Sequence, residues 1–347
     1  MTNKNSKCMV IAEIGLNHNG KYDLAEKSII AAAKAGADAV KFQNYTTEDF
    51  LTDKSILHKY KNEDKFIEEP LFDICKRSEF QEEWLPSLIS LARSLGLIFL
   101  STPTSIAGVD LLIKHGVKHI KNGSDFLSHI PLLRHMASTG ANIIISTGMA
   151  YEKDIDEAVD AILRLQPDKT KLTILHCTSS YPTSIDNVNL NKITSLRNRY
   201  KVNIGFSDHT EGFFSAIQAV SMGVNIIEKH FTIDKTLSGP DHWFSSSPEE
   251  FEELVFQIRL AESRLGFKEL RPAESEMDDR KQWRLGLFWK RNMEVGETIV
   301  LNDIDIRKPS SNLAPKELDT IIGRKIINRT YKGKSVEKSD ILKDSND

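Results

Sequence analysis

Two similar stretches of the sequence decide the fold: VNIGFSDHT at residues 202–210 and VNIIEKHFT at residues 224–232. Each starts as an apolar run and contains a histidine near its end, His209 in the first and His230 in the second. Short apolar runs of this kind are typical of buried strands. In a parallel barrel the ends of consecutive strands lie side by side, so these two imidazoles could bind one metal ion.

Strand geometry assigns the side chains around each histidine to a face. Successive residues of a strand point to opposite faces. Ser207 therefore shares a face with His209, and Glu228 shares a face with His230. Lys229 points the other way. The sequence thus predicts two imidazoles on one face, beside a hydroxyl and a carboxylate.

The same strand-like pattern recurs along most of the chain. The further β-rich runs are CMVIAEIG (8–15), DAVKFQNY (38–45), GLIFLSTP (96–103), VKHIKNGS (117–124), NIIISTGM (142–149) and LTILHCTS (172–179). Between the runs lie amphipathic segments with apolar residues at i, i+3 and i+4, often followed by glycine, a helix-stop signal. Eight strand–helix units in about 260 residues predict a (β/α)8 TIM barrel. A doubly wound open sheet is the alternative, but no GxGxxG or P-loop motif follows any run.

Changes in composition predict the domain organisation. The barrel is expected to span residues 1–268, and the polar, charged residues 269–283 are expected to form a linker. Residues 284–347 contain short β runs broken by glycine and proline turns, which predicts a small β-rich domain. Within the barrel, the charged connection from Thr46 to Phe80 is expected to form a lid or an interface loop.

Overall composition narrows the possible partners and compartment. The 347 residues carry a net charge of −3, which disfavours a nucleic-acid-binding protein. No apolar stretch approaches the roughly 20 residues that cross a membrane. Three scattered cysteines without a CxxC pair, Cys8, Cys75 and Cys177, favour a reducing cytoplasm over a disulfide scaffold.

The ends of the predicted strands are unusually polar. Glu13 ends the first run, Lys41 and Gln43 share a face of the second, and Lys121 lies near the end of the fourth. Hydroxyl groups end other runs at Thr102, Ser124, Ser146 and Ser179. Each of these residues alone is better explained as a hydrogen-bonded loop cap. Burying several charges together is costly unless they are paired or bind a charged ligand, so the set predicts a cradle for a phosphate or carboxylate.

The histidine pair has two interpretations. A histidine at a strand end is often a hydrogen-bonded structural group, but two on adjacent strands that face the same way favour a metal site. Two histidines completed by water or substrate oxygens suit Mn²⁺ or Mg²⁺. A structural zinc site is disfavoured because no third and fourth histidine or cysteine ligand lies at suitable spacing.

Schemes based on a nucleophilic side chain fit the sequence poorly. Ser207, Asp208 and His209 contain the residue types of a catalytic triad, but neighbours on a strand point apart. Cys177 directly follows His176 and faces the opposite side, so the two are not expected to pair.

Eight motifs of the chain resemble the sialic acid synthase family. They are IAEIGLNHNG, GADAVKFQNY, LSTP, IISTGM, ILHCTSSYPT, GFSDHT, IEKHFT and SGPDH. The resemblance covers nearly the whole chain, because the C-terminal segment resembles the antifreeze-like (SAF) domain of those enzymes. It implies condensation of phosphoenolpyruvate with an N-acylated hexose to a nine-carbon 2-keto sugar acid, with release of phosphate by C–O cleavage.

The resemblance also implies a role for each candidate residue. His209 and His230 match metal ligands, usually of Mn²⁺, with Mg²⁺ or Co²⁺ as alternatives, and Glu13 matches an acid near the reacting carbons. The positions that match those gripping phosphoenolpyruvate are Lys41, Lys121, Ser124, Ser146 and Ser207, with Thr102 and Ser179 as further candidates. The positions that match those orienting the sugar hydroxyls are Gln43, Tyr181 and Asp241.

The chain departs from the family pattern at a few positions. An acid that the family carries two residues after the serine of the fourth strand is replaced by Phe126, and Asp125 lies one place earlier. An asparagine after HCT is replaced by Ser179. An SAF-domain arginine that reaches into the partner subunit's site is replaced by Lys308, so the resemblance implies a domain-swapped homodimer with a changed sugar contact.

Three functions are compatible with this pattern. The first is a nonulosonic acid synthase acting on N-acetylmannosamine or on a 2,4-diacetamido-trideoxyhexose. The second is a related phosphoenolpyruvate–aldose condensing enzyme, although a phosphorylated acceptor would need an arginine cluster that the sequence lacks. The third is a catalytically silent sugar-binding protein of the same family.

Overall fold

The computed structural model of the protein describes residues 7–62 and 65–342. The strands are β1 Met9–Gly15, β2 Ala39–Asn44, β3 Leu57–Asn62, β4 Lys65–Pro70, β5 Ile98–Pro103, β6 His119–Asn122, β7 Asn142–Ser146, β8 Leu172–Cys177, β9 Asn203–Asp208, β10 Ile226–His230, β11 Gly286–Trp289 and β12 Ile304–Arg307. The helices are α1 Tyr22–Lys34, α2 Thr47–Phe50, α3 Leu71–Arg77, α4 Leu85–Ser94, α5 Ile106–Lys114, α6 Ile130–Ser138, α7 Glu152–Leu163, α8 Asn191–Tyr200, α9 Phe214–Ser221, α10 Pro248–Leu265 and α11 Met277–Trp283.

Eight parallel strands close into a barrel in the order β1-β10-β9-β8-β7-β6-β5-β2. Each of the eight predicted β-rich runs forms one of these strands, and a helix follows every strand before the next one begins. The predicted (β/α)8 barrel is therefore confirmed. Because β9 and β10 are neighbours in the closed sheet, the two histidine-bearing stretches lie side by side.

A local sequence signal marks the start of α10. At the start of α10, the Ser247 hydroxyl accepts from the Glu250 backbone N–H at 3.3 Å, and the Glu250 carboxylate accepts from the Ser247 N–H at 2.9 Å. This reciprocal pair satisfies two backbone donors that the first helical turn leaves free. Pro248 occupies the first helical position, where its missing N–H costs nothing.

Apolar side chains fill the lower part of the barrel interior. They come from six strands and form a single buried cluster. Its members are Ile11, Ala39, Leu100, Ile144, Leu175 and Ile226. Gly205 completes this layer on β9, where an added Cβ would lie 2.3 Å from Leu175 Cδ2. The layer closes the barrel from below, so any ligand can enter the interior only from the carboxyl ends of the strands.

The connection between residues 46 and 80 is folded. It consists of α2, the antiparallel hairpin β3–β4 and α3. Tyr60 on the hairpin is buried and donates a hydrogen bond to the Glu69 carboxylate at 2.6 Å, and Arg77 of α3 forms an ion pair with the same carboxylate at 2.5 Å. These contacts tie the hairpin to the helix that follows it. A lid function for this segment stays a prediction.

The chain divides into two compact units between Gly266 and Phe267. The second unit has its own apolar core, and Leu287 and Trp289 of β11 are fully buried in it. Residues 269–283, for which the sequence predicts a linker, fall within the range of this unit and contain α11. Backbone hydrogen bonding from Ser310 to the Lys281 carbonyl, at 3.0 Å, holds the end of this segment to the rest of the unit.

No helix in the described residues is long and apolar enough to cross a membrane.

Replacing Leu100 by alanine should destabilise the barrel by about 2–5 kcal/mol, because the side chain is fully buried in the closing layer and its loss leaves a cavity. Urea unfolding followed by circular dichroism measures this change. Leu165→Ala is the control, since Leu165 is 53% exposed and should shift the free energy of unfolding by no more than about 0.5 kcal/mol. Equal effects of the two substitutions would show that the layer does not support the barrel.

Candidate active site

Inward-facing side chains change from apolar to polar towards the carboxyl ends of the barrel strands. On β1, Ile11 of the closing layer is followed two residues later by Glu13. On β10, Ile226 is followed by Glu228 and then His230. Because the side chains alternate between the two faces of a strand, these residues point into the barrel one level above the other. The polar level forms the base of an open cavity.

This cavity has a volume of about 600 Å³ and opens at the carboxyl ends of the strands. It contains every candidate residue that the sequence places in the barrel, namely Glu13, Lys41, Gln43, Thr102, Lys121, Ser124, Ser146, Ser179, Tyr181, Ser207, His209, His230 and Asp241. The remaining candidate, Lys308, lies in the second unit, with its ammonium group 4.6 Å above the Trp283 ring. The site is therefore built from all eight strands of the barrel or the loops that follow them.

Four buried charges form the base of the cavity. Lys41 Nζ lies 2.6 Å from Glu13 Oε2 and 3.9 Å from Glu228 Oε2. Lys121 Nζ lies 2.6 Å from Glu228 Oε1. All four side chains are at most 7% exposed. Burying any one of these four charged groups without a partner would carry a large free-energy cost. The positions of the four charges therefore depend on one another.

Two further side chains orient the members of this network. Gln43 Nε2 donates to Glu13 Oε1 at 2.9 Å, and Lys41 Nζ donates to Thr102 Oγ1 at 3.2 Å. These contacts fix the lysine and the carboxylate from the side that faces the open cavity. Preorganised charges of this kind keep their geometry when a ligand arrives.

The network shifts the pKa values of its members in different directions. Burial raises the pKa of Glu228, but the neighbouring Lys121 and Lys41 outweigh burial and hold that pKa at about 2. Burial raises the pKa of Glu13, and Lys41 only partly offsets this effect. Burial lowers the pKa of Lys121, but Glu228 and Glu13 outweigh it and the net shift is upward. Glu228 is thus a permanent counter-ion, whereas Glu13 can hold a proton more readily than an ordinary carboxyl group.

Hydroxyl groups lie above the lysines on the side of β6–β8. Ser146 Oγ is buried and has no hydrogen-bond partner among the described residues. Ser124 Oγ accepts from the Gly148 backbone N–H at 3.0 Å and lies 3.2 Å from Cys177 Sγ. A buried hydroxyl without a partner among the described residues, in the same cavity as two ammonium groups, is suited to donate to an anion.

His209 presents one ring nitrogen to the cavity. Its Nδ1 lies 2.8 Å from the Thr178 carbonyl and must donate to it, which leaves Nε2 unprotonated in the neutral ring. Ser207 Oγ lies 3.3 Å from that Nε2 but donates its proton to Glu228 at 2.9 Å. Burial lowers the pKa of His209 to about 4. The Nε2 lone pair is therefore free, which is the state of a metal-binding imidazole.

His230 lies beside His209, with the two ring centroids 5.4 Å apart. Its Nδ1 is buried without a hydrogen-bond partner among the described residues, and burial, followed by the His209 charge, lowers its pKa well below the usual range. Two neutral imidazoles with an unsatisfied nitrogen fit a divalent cation. In residues 7–62 and 65–342, no cluster of three or more His, Cys, Asp and Glu side chains is arranged to hold a metal. A cation here would have two protein ligands and open positions.

Asp241 faces this pair from the loop after β10. Its Oδ2 lies 3.6 Å from His230 Nδ1, and burial, followed by the charge of Glu13, raises its pKa to about 7. The loop is held by the loop after β1: Asn19 Nδ2 donates to the Ser238 carbonyl at 2.9 Å, and Asn17 Nδ2 donates to Ser245 Oγ at 2.9 Å. Contacts between these two loops thus help to place Asp241 at the rim of the site.

Glu228 and Cys177 are among the cavity residues that were absent from the sequence-based set of candidates. Glu228 was assigned to the same face as His230 but not to the site, although it contacts both lysines. Cys177 lines the cavity, whereas the adjacent His176 points away and contacts the Val188 carbonyl at 2.6 Å. The alternation of side chains along a strand could have identified both residues, because it places Glu228 and Cys177 at inward-facing positions.

Two of the three positions that depart from the family pattern, Phe126 and Ser179, line the cavity, whereas Lys308 lies in the second unit. Phe126 forms part of one wall beside Phe50, with ring centroids 6.2 Å apart. Asp125 also lines the cavity. The wall is more apolar than a carboxylate at position 126 would make it.

Comparison with known proteins agrees with this arrangement. Residues 28–269 match the NeuB family. The chain is 39% identical over 342 residues to an uncharacterized protein of Methanocaldococcus jannaschii, covering 98% of this chain and 96% of that one. It is 37% identical over 321 residues to the N,N'-diacetyllegionaminic acid synthase of Legionella pneumophila, covering 92% and 90%. The crystal structure of an N-acetylneuraminic acid (sialic acid) synthetase from Leptospira borgpetersenii, with citrate, superposes with a TM-score of 0.71 at 32% identity, covering 80% and 94%. The chain belongs to the NeuB family.

Proposed function

We propose that this enzyme is a nonulosonic acid synthase. It condenses phosphoenolpyruvate with an N-acylated hexose, either N-acetylmannosamine or a 2,4-diacetamido-trideoxyhexose, to give a nine-carbon 2-keto sugar acid and phosphate. The main support for the proposal is that two buried lysines and two neutral histidines lie in one cavity at the barrel mouth. Relatives named for two different nonulosonic acids support the reaction class and leave the acceptor to be tested.

Lys41 and Lys121 supply the positive charge that phosphoenolpyruvate requires. Each is already paired with a carboxylate at 2.6 Å, and an ammonium group has three donors, so each can also donate to a ligand oxygen. The Ser146 hydroxyl, which has no hydrogen-bond partner in the described part of the chain, lies in the same cavity and offers a further donor. The carboxylate and phosphate of phosphoenolpyruvate thus bind to groups that are held in place beforehand.

His209 and His230 would hold a divalent ion, with Mn²⁺ as the first choice and Mg²⁺ or Co²⁺ as alternatives. Such an ion supplies a Lewis acid that polarises the aldehyde oxygen of the acceptor. The protein keeps both rings neutral by burial and orients His209 through the Thr178 carbonyl.

Glu13 is positioned to hold a proton during the condensation. In the reaction, C3 of phosphoenolpyruvate forms a bond to the aldehyde carbon, the aldehyde oxygen gains a proton, and water adds at C2. The C2–O bond to phosphate then breaks, the hydroxyl at C2 loses its proton to become the keto oxygen, and phosphate leaves. A carboxyl group with a raised pKa beside Lys41 can give a proton to the aldehyde oxygen as it becomes a hydroxyl, or orient the water.

The acceptor is proposed to bind between the histidines and the wall that contains Phe126. Asp241 and Tyr181 lie on the histidine side, where the Tyr181 ring centroid is 4.3 Å from that of His209. Gln43 reaches the same space from β2. Amide and carboxylate groups there can bind the sugar hydroxyls, whereas Phe126 and Phe50 can pack against an apolar substituent.

We further propose that the second unit is an SAF domain and that the protein forms a domain-swapped homodimer. In such a dimer, Lys308 of one subunit would reach the acceptor end of the other subunit's cavity. The exposed position of Lys308 supports this proposal, since its ammonium group is free to contact a partner apart from its stacking over Trp283.

The reaction is tested by supplying metal-stripped protein with phosphoenolpyruvate, Mn²⁺ and a panel of acceptors. The panel contains N-acetylmannosamine, a 2,4-diacetamido-trideoxyhexose and a phosphorylated aldose. We expect phosphate release and a nine-carbon 2-keto acid, identified by mass spectrometry, with one of the first two and with Mn²⁺ present. Product from the phosphorylated aldose alone would identify a different condensing enzyme. Sugar binding without product from any acceptor would overturn the proposal of a synthase.

Replacing Lys121 by methionine should raise the KM for phosphoenolpyruvate at least about tenfold, because a charge-assisted hydrogen bond is worth about 1.5–3 kcal/mol. It should also destabilise the protein by about 3–5 kcal/mol, since Glu228 loses its closest partner. The double variant Lys121→Met/Glu228→Gln should recover most of the stability but keep the high KM. Recovery of both quantities would show that Lys121 is only a structural counter-ion.

The swapped dimer predicts activity from mixtures of two inactive variants. His209→Ala should remove turnover, and Lys308→Ala should reduce it strongly. After the two variants exchange subunits, half of the dimers are mixed and each has one complete site, so about a quarter of the wild-type activity should return. Steady-state phosphate release measures this recovery, and ultracentrifugation measures the dimer. A mixture that stays inactive although mixed dimers form would place Lys308 in the site of its own subunit or outside both sites.

A further inference from the structure

We infer that the buried ion pair between Asp208 and Lys229 positions the two histidines for metal binding. The pair lies on the outer face of the barrel, and neither residue faces the cavity. Asp208 directly precedes His209, and Lys229 directly precedes His230. The inference rests on the proposed function, because it concerns the metal site assigned to these histidines.

The pair joins the two strands at the level of the site. In the register of β9 and β10, Asp208 lies opposite Lys229, and Lys229 Nζ is 3.0 Å from Asp208 Oδ2. Their side chains are 0% and 3% exposed. Lys229 Nζ also donates to the Thr210 carbonyl, which belongs to the chain just beyond His209. The lysine of one strand thus binds the other strand on both sides of its histidine.

Both oxygens of the Asp208 carboxylate accept hydrogen bonds. Asp208 Oδ1 accepts from the Thr210 N–H at 2.9 Å and from Thr210 Oγ1 at 2.7 Å, while Oδ2 accepts from Lys229. Thr210 Oγ1 is also within 3.3 Å of Ser215 Oγ, at the start of α9. The turn after β9 is therefore closed onto the carboxylate, and these contacts together orient the end of the strand.

His230 depends on this arrangement more than His209 does. The His209 ring is held directly by the Thr178 carbonyl, but the His230 ring has no hydrogen bond among the described residues. Its position is therefore set by the backbone of β10 and by ring packing with Phe244, at 5.0 Å between centroids. Lys229 is the side chain that fixes this part of β10 to β9 from the outer face.

Stability alone is a weak explanation for the pair. A buried ion pair loses two hydration shells, and replacing both partners by neutral groups of similar size is often neutral or stabilising. What such a replacement loses is a unique geometry between the two strand ends. Groups that orient metal ligands from behind typically change metal affinity by about 10–100-fold when they are removed. The pair thus positions the two histidines, and its removal should change the affinity for the metal more than the stability of the fold.

The test compares the double variant Asp208→Asn/Lys229→Met with the wild type, both stripped of metal. Asparagine keeps the oxygen that accepts from Thr210, and methionine keeps the length of lysine without its charge. Binding of Mn²⁺ alone, followed by electron paramagnetic resonance of the free ion, should be about 10–100-fold weaker in the variant. Its thermal unfolding midpoint should change by only a few degrees, and Mn²⁺ in excess should restore part of the turnover.

A matched control removes another charged pair that joins the barrel elements far from the histidines. Arg259 of α10 forms an ion pair with Asp38, which directly precedes β2 at the opposite end of the barrel. Asp38→Asn/Arg259→Met should alter stability but leave Mn²⁺ affinity within about twofold of the wild type, because additivity holds for distant sites.

The outcomes separate the two proposals. A wild-type protein that binds no Mn²⁺, Mg²⁺ or Co²⁺ would overturn the metal site itself. A wild type that binds Mn²⁺ together with a folded Asp208→Asn/Lys229→Met variant of equal affinity would overturn the positioning role and leave the metal site intact. Equal loss of affinity in the control variant would show a general effect of barrel destabilisation, which would also overturn it.

Discussion

The buried network of Lys41, Glu13, Lys121 and Glu228 is the interaction on which the rest of the site depends. Charges in a barrel interior are tolerated only when each has a partner at short range, and here both close pairs are 2.6 Å apart. The apolar layer below and the open cavity above leave the network as the boundary between a packed core and a polar site. The positive charge at the base of the cavity is therefore held in place by a structural requirement of the barrel.

The same alternation of side chains produces both halves of the site. Inward positions carry the lysines, the two glutamates and the histidines, whereas outward positions carry Asp208 and Lys229 under the surrounding helices. At this level of the barrel, the two faces of a strand have different requirements. On the inner face, lone pairs and charges must remain available to a ligand. On the outer face, every polar atom can have a partner within the protein, because no ligand has to enter there.

Much of this arrangement could be predicted from the sequence because it depends on short-range patterns. The eight β-rich runs, the helices between them and the inward direction of Lys41 or His209 all follow from periodicity. The packing of residues 269–283 could not be predicted from periodicity. Those residues lack apolar periodicity, yet they pack through contacts such as that of Lys281 with Ser310, which only a folded partner can provide.

The sequence by itself determined which residues face the barrel interior and which chemical groups are present at the strand ends. Only the tertiary structure decided which groups are partners. Lys121 and Glu228 are 107 positions apart in the chain, and Lys41 and Glu13 belong to different strands. Their pairing, the pKa of about 2 at Glu228 and the burial of His230 Nδ1 away from any hydrogen-bond partner within residues 7–62 and 65–342 exist only once the barrel has closed. The physical reason is that burial and distance, which set the energy of a charge, are properties of the closed barrel and not of any single strand.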